Sequence, residues 1–223
     1  MDLSKSYDFF QPEKHGDRIH IIGCGSVGST VAENLARSGV TKMTLWDFDI
    51  VEPKNIANQM FVQQDIGKPK VEALARILSD INPDIGDNLK LQGDGWNGQK
   101  LSGYVFLCVD SIELRRQIVE KHFDNMFIKA MFDFRTRLTD AQHYAADWSD
   151  YTQKKNFLAS MNFSHEEAKE ETPVSACNVE LSVCPTVRIV CALGVVNFMN
   201  FWNGKPIKNM VLPNVFDMIL DAF

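Results

Sequence analysis

The chain has 223 residues, a formal charge of −6 and a pI near 5.4, with no long basic run. Such a balance excludes wrapping a nucleic acid backbone, which needs clustered Lys and Arg. The N-terminus lacks an apolar signal core, and the apolar stretch 187–202 is broken by Arg188, Asn197 and Asn200, so neither a signal peptide nor a membrane span is expected.

In chain order, Ile19, His20, Ile21 and Ile22 read as a strand that feeds into Gly23, Cys24, Gly25, Ser26, Val27 and Gly28, a tight turn opening a helix over 26–37. Val27, Val31 and Leu35 recur at the spacing of a buried helix face, and Gly39 stops the helix. A strand over 42–46 ends in Asp47, nineteen residues after Gly28. Glycines let a backbone approach a phosphate, a helix N-terminus offers free N–H groups, and an acid about twenty residues on meets a ribose hydroxyl. Nucleotide binding is the leading reading of this stretch. Helices over 68–80 and 112–123 alternate with strands over 89–92, 104–109 and 127–132, which predicts an α/β, Rossmann-like, doubly wound and mainly parallel sheet. Beyond it, 141–146 reads as a strand, 150–160 as a helix, and 162–173 as a polar, acidic crossover. A largely apolar helix from Pro185 to about Trp202 follows, and the apolar stretch 211–223 is expected to dock. The organisation is then one domain: a nucleotide-binding half over 17–134, a variable crossover region over 135–181, and a C-terminal helix and extension over 182–223.

Residues 47–59, DFDIVEPKNIANQ, are more acidic and amide-rich than a dinucleotide enzyme requires. Gly23, Gly25, Gly28, Asp47, Asp49, Val51, Asn55, Gln59, Gly67, Lys70, Ile81, Asn82 and Pro83 together resemble the ThiF/MoeB/HesA family of ubiquitin-activating-enzyme-like adenylyltransferases. That family's pattern is GxGxxG, DxDxVxxxNxxRQ, GxxK and INP. The run 105–111, VFLCVDS, resembles the family's strand and magnesium-site aspartate. The resemblance implies an enzyme that binds ATP with Mg2+, adenylates the C-terminal carboxylate of a small β-grasp carrier or modifier protein, releases pyrophosphate, and forms a homodimer. It also implies roles. Gly23, Gly25 and Gly28 would form the nucleotide turn, Asp47 would take the ribose, and Asn55 would bond phosphate or ribose oxygens. Lys70 would supply positive charge where two anions meet, and Asp110 would hold magnesium. Asp49, Asn58 and Gln59 complete the expected nucleotide contacts. Each has a plainer alternative: a solvated helix lysine for Lys70, a helix cap for Asp110, loop structuring for Asp49 and Gln59. Arg115 and Arg116 read as helix-surface residues.

The chain departs from the pattern at Asn58, where the family has an arginine, and the family's N-terminal arginine is not recognisable before Arg18. Replacement charges are sought in Lys54, Lys68, Arg135 and Arg137. The five cysteines, at 24, 108, 177, 184 and 191, include no CxxC pair, which argues against structural zinc and for a reducing cytoplasm. Cys24 and Cys108 read as packing residues. Cys177 and, less so, Cys184 are candidate nucleophiles, the latter because a helix N-terminus lowers a thiol pKa. His15, His20, His122, His143 and His165 read as structural or exposed, and Glu166, Glu167, Glu170 and Glu171 as a solvated face. Two alternatives stay open: a nucleotide-binding, catalytically inactive subunit, and a NAD-dependent oxidoreductase. The latter leaves Asn55, Gln59, Lys70 and Asp110 unexplained.

Overall fold

The structure, a computed structural model, describes residues 1–14, 16–163 and 182–223. The elements along the chain are β1 (Ile19–Ile22), α1 (Ser26–Arg37), β2 (Met43–Trp46), α2 (Lys70–Ile81), β3 (Lys90–Gln92), β4 (Gly103–Leu107), α3 (Ile112–Lys121), β5 (Ile128–Thr136), β6 (Ala141–Asp147), α4 (Tyr151–Ala159), α5 (Cys184–Trp202), β7 (Met210–Asn214) and β8 (Ile219–Ala222). The eight strands form one sheet in the order β3-β2-β1-β4-β5-β6-β7-β8. Pairing is parallel from β3 to β5 and antiparallel from β5 to β8.

Residues of β1, β2 and β4 are buried throughout because helices cover both faces of the parallel part. Ile19, Ile21, Leu45 and Phe106 face a core shared with α1, α2 and α5. Ile22, Trp46, Val105 and Leu107 face a second core closed by α3 and α4. The strand order reverses between β1 and β4, and in such sheets ligands gather outside the strand ends at that reversal.

Strand β5 runs four residues further than its sequence pattern predicts and crosses the 134/135 boundary. Asp133 and Arg135 stay in the strand because their charges are paired, as described below. Strand β4 ends at Leu107, and Cys108 and Val109 line the crevice beyond it instead. Asn82, of the INP run, is buried and donates to the Ala36 carbonyl at 3.3 Å, tying the end of α2 to the end of α1.

Helix α5 is long and apolar enough to cross a membrane by length and composition. It is a core helix here, with Val187, Val190, Cys191, Val195 and Phe198 buried against the sheet and α1. Gly194 allows this approach: a Cβ there would fall 2.1 Å from Phe134 Cε1. Its polar exception, Asn197, is satisfied, exchanging hydrogen bonds with the Lys208 backbone (2.8 and 2.9 Å) and meeting His143 Nε2 at 3.1 Å. The expected docking of the C-terminus holds for β7, where Val211 is buried. Strand β8 is attached by pairing with β7 and leaves Ile219, Leu220 and Phe223 exposed.

Candidate functional site

A cleft of about 310 Å³ opens at the strand reversal, lined by Gly23, Gly25 and Ser26 after β1, Trp46 at the end of β2 with Asp47, Phe48 and Asp49 after it, and Val109, Asp110 and Ser111 after β4. Gln59, Lys70, Gly95, Trp96 and Leu114 complete it, with the buried Ile22 and Cys108. The volume lies at the lower end of the range for small-molecule sites.

The turn itself is held from below. Gly28 does not line the cleft; a Cβ on it would stand 1.8 Å from the Gly23 carbonyl oxygen, so its role is to let α1 close onto the turn. Asp47 accepts from the Cys24 N–H at 2.6 Å and from the Asp49 N–H at 2.8 Å. Burial raises the Asp47 carboxyl above its usual range, against the pull of those two donors. Lys70, at the first position of α2, is 7% exposed, and its Nζ lies 2.7 Å from Asp49 Oδ2. The solvated-lysine alternative is therefore set aside for Lys70. Asp110 is exposed at the cleft edge and accepts from the Ser111 N–H at 2.9 Å, while Ser111 caps α3 by accepting from the Leu114 N–H at 3.1 Å. Capping thus falls to Ser111, and Asp110 accepts only from the Ser111 N–H among the described residues. The buried Gln59 Oε1 has no hydrogen-bond partner among the described residues, an acceptor available to a ligand donor.

A model of the ThiF family matches residues 11–219. The chain belongs to the ThiF family. Among curated proteins it is similar to ubiquitin-like modifier-activating enzyme 5 of Drosophila persimilis, 34% identical over 134 residues, covering 53% of this chain and 34% of that protein. The Bombyx mori protein of the same name is 35% identical over 115 residues, covering 45% and 29%. The chain thus matches about a third of the length of these relatives. Among solved structures, Escherichia coli MccB with ATP superposes with a TM-score of 0.69 at 17% identity, covering 92% of this chain and 63% of that one. PaaA superposes with a TM-score of 0.68 at 16% identity, with the same coverage. These two likenesses show a shared fold.

In this ThiF-family chain, Gly23, Gly25, Asp47, Asp49, Gln59, Lys70 and Asp110 line one cleft. Asn55 and Asn58 do not. Asn55 is buried, and its Oδ1 accepts from the Glu52 N–H at 2.8 Å, so it shapes the signature loop rather than facing the cleft. The replacement cations are occupied elsewhere: Lys54 by Glu52 at 2.7 Å, Lys68 by Asp65 at 3.6 Å, Arg137 by Asp140 at 4.0 Å and Arg135 by Asp133. Arg18 lies at the opposite strand ends, donating to the Met43 and Asn88 carbonyls. Cys177, His165, His15 and the four glutamates lie outside the described residues. Cys24 and Cys108 are buried, and burial pushes both thiols well up, as expected of packing residues.

The surface assignment of Arg115 and Arg116 is corrected. Arg115 is 6% exposed and pairs with the fully buried Asp133, while also donating to the Val109 carbonyl through Nε at 2.8 Å and to the Phe134 carbonyl at 2.7 Å. Arg116 donates to the Met161 and Phe163 carbonyls. Asp133 also holds Arg135 Nε at 2.7 Å. Burial works to raise the Asp133 carboxyl, but Arg115 and then Arg135 outweigh it and hold the group below its usual range. An acid inside the apolar run of β5 was the available signal for this network. Phe48 and Trp96 were missed as lining residues; Phe48, apolar between two acids and 73% exposed, carried a signal, whereas nothing in the spacing marked Trp96.

The donor set fits magnesium only in one way. No group of three His, Cys, Asp or Glu residues suited to a metal occurs among the described residues. Asp110, an exposed carboxylate in the cleft, suits an ion that takes one protein ligand and fills its remaining positions with phosphate and water, as magnesium does.

Proposed function

We propose that this chain is a magnesium-dependent adenylyltransferase that activates the C-terminal carboxylate of a small β-grasp carrier or modifier protein with ATP, releasing pyrophosphate. The observation that carries this reading is the convergence of Lys70 and Asp110 with the glycine turn in one cleft of a ThiF-family chain. The names of the curated relatives, which are modifier-activating enzymes, support it.

The turn at Gly23–Gly25 and the N-terminus of α1 would receive the phosphates, Asp47 the ribose, and the free Gln59 acceptor a hydroxyl or amine. Lys70 would exchange Asp49 for the phosphate that becomes charged as the carboxylate attacks. Asp110 would hold Mg2+, which neutralises charge on the leaving pyrophosphate. Cytoplasmic location and a homodimer belong to the same reading; the exposed side chains of Ile189, Ala192 and Val196 on α5 offer an apolar surface for a second copy.

The second reading, a nucleotide-binding but inactive subunit, is favoured by one observation: among the described residues, no arginine lines the cleft. Titration of Mg·ATP by calorimetry, with NADH as control and Lys70→Ala and Asp110→Ala beside the native protein, tests the site. ATP binding weakened by both changes is expected, and NADH binding without ATP binding would overturn it. Carrier-dependent exchange of pyrophosphate into ATP then separates enzyme from inactive subunit.

A further inference from the structure

The cleft lining carries three carboxylates, Asp47, Asp49 and Asp110, against one ammonium, Lys70. A triphosphate entering it brings about four more negative charges. Magnesium and Lys70 leave net negative charge in the cleft, which a further cation from outside the lining would offset.

Arg188 is placed to supply it. Among the described residues its guanidinium meets two sulfur atoms, Met60 Sδ and, at 3.5 Å, Cys184 Sγ. Sulfur is a weak acceptor, so this guanidinium, unlike those of Arg115 and Arg135, has no anionic partner among the described residues. The packing of α5 on α1 fixes its height. At one end, Trp202 Nε1 donates to the Gln11 carbonyl while Gly39, just past α1, abuts Leu3 and Pro12, so the C-terminal ends of the two helices lie together. At the other, Cys191 Sγ reaches the Val27 carbonyl at 3.6 Å. Arg188 precedes Cys191 by three residues, about 4.5 Å further toward the cleft end at 1.5 Å per residue, which brings it level with the glycine turn. Met60 bridges the remaining gap: its N–H donates to Ser29 Oγ at 3.2 Å, and its neighbour Gln59 lines the cleft beside Gly25.

We infer that Arg188 is a phosphate-binding residue, reaching from α5 over Met60 to the triphosphate and taking the part of the arginine that Asn58 replaces in the signature loop. This rests on the nucleotide-binding reading above.

The test is titration of Mg·ATP and of AMP into the native protein and into the Arg188→Ala, Arg188→Lys and Arg188→Ala/Asn58→Arg variants. A charge-assisted contact to the outer phosphates predicts that Arg188→Ala weakens ATP about tenfold to a hundredfold and AMP less than about twofold. Arg188→Lys should fall between, because a point charge replaces a bidentate fork. Restoring the loop arginine should recover ATP affinity in the double variant. Undiminished ATP binding by Arg188→Ala, or equal loss of ATP and AMP, would overturn the assignment of Arg188 while leaving the nucleotide site standing. A native protein that binds neither nucleotide would remove the nucleotide reading itself.

Discussion

Two clusters of charge lie on either side of β4, and they are built to opposite ends. In the first, Asp133 is fully buried and held by Arg115 and Arg135, and Arg115 also donates to the Val109 and Phe134 carbonyls. In the second, buried Lys70 meets Asp49, whose side chain is half exposed, and Arg188 rests on sulfur. The difference separates charge spent on the fold from charge kept available for a ligand. A saturated network is rigid and costly to cut, whereas a half-solvated pair can change partners at little cost.

The strongest way to break this distinction is Arg115→Met. It leaves Asp133 with one partner and strips donors from the Val109 and Phe134 carbonyls. Removing one partner of a buried pair costs about 3–5 kcal/mol, and urea denaturation should show a loss of that order. A loss below about 1 kcal/mol would mean that the network is no more structural than the cleft pair.

Acid sharpens the comparison further, because the fold also commits two neutral groups. His143 is fully buried between Phe132, Phe134 and Asn197, and His20 is 6% exposed beside Trp46; burial chiefly pushes both down to about 4. Between that value and the ordinary 6.5, the unfolded chain binds more protons than the folded one. Stability therefore rises with pH through this window, and each histidine withdraws roughly 3 kcal/mol as pH falls from about 6.5 to about 4. Denaturation midpoints at pH 7.5 and 4.5 would show the drop, and His143→Gln should flatten part of it. A midpoint that does not move between these values would contradict the burial of both rings.

The sequence made these two regions unequally legible. The cleft was readable because its lining falls at fixed spacings along the chain: Gly23 and Gly25 in the turn, Asp47 a fixed distance on, Lys70 opening α2. The parallel order was readable from alternating strand and helix patterns. The Arg115–Asp133–Arg135 network was not, because its members lie eighteen or more residues apart or alternate along one strand, and only the fold brings α3 onto the end of β5. The contact of Asn55 escaped for a related reason: an amide in a loop motif suits a ligand or the loop's own backbone equally well, and only the fold shows its Oδ1 accepting from the Glu52 N–H. Arg188 looked like an interruption in an apolar helix until the pairing of α1 and α5 set it level with the turn.

The smallest expected change in stability, and the most informative, belongs to Lys70→Met. Methionine fills much the same space as the lysine stem, and Asp49, with its side chain 50% exposed, can return to water once its partner is gone. Stability should therefore shift by no more than about 1 kcal/mol, in keeping with partly exposed pairs. Binding should respond quite differently, because a phosphate that loses an ammonium in a sheltered cleft has no equivalent replacement; Mg·ATP affinity is expected to fall about tenfold or more. Denaturation and calorimetry on one preparation measure both. If Lys70→Met instead unfolds as readily as Arg115→Met while holding ATP undiminished, Lys70 belongs to the fold, and the division between committed and available charge fails at the residue on which it most depends.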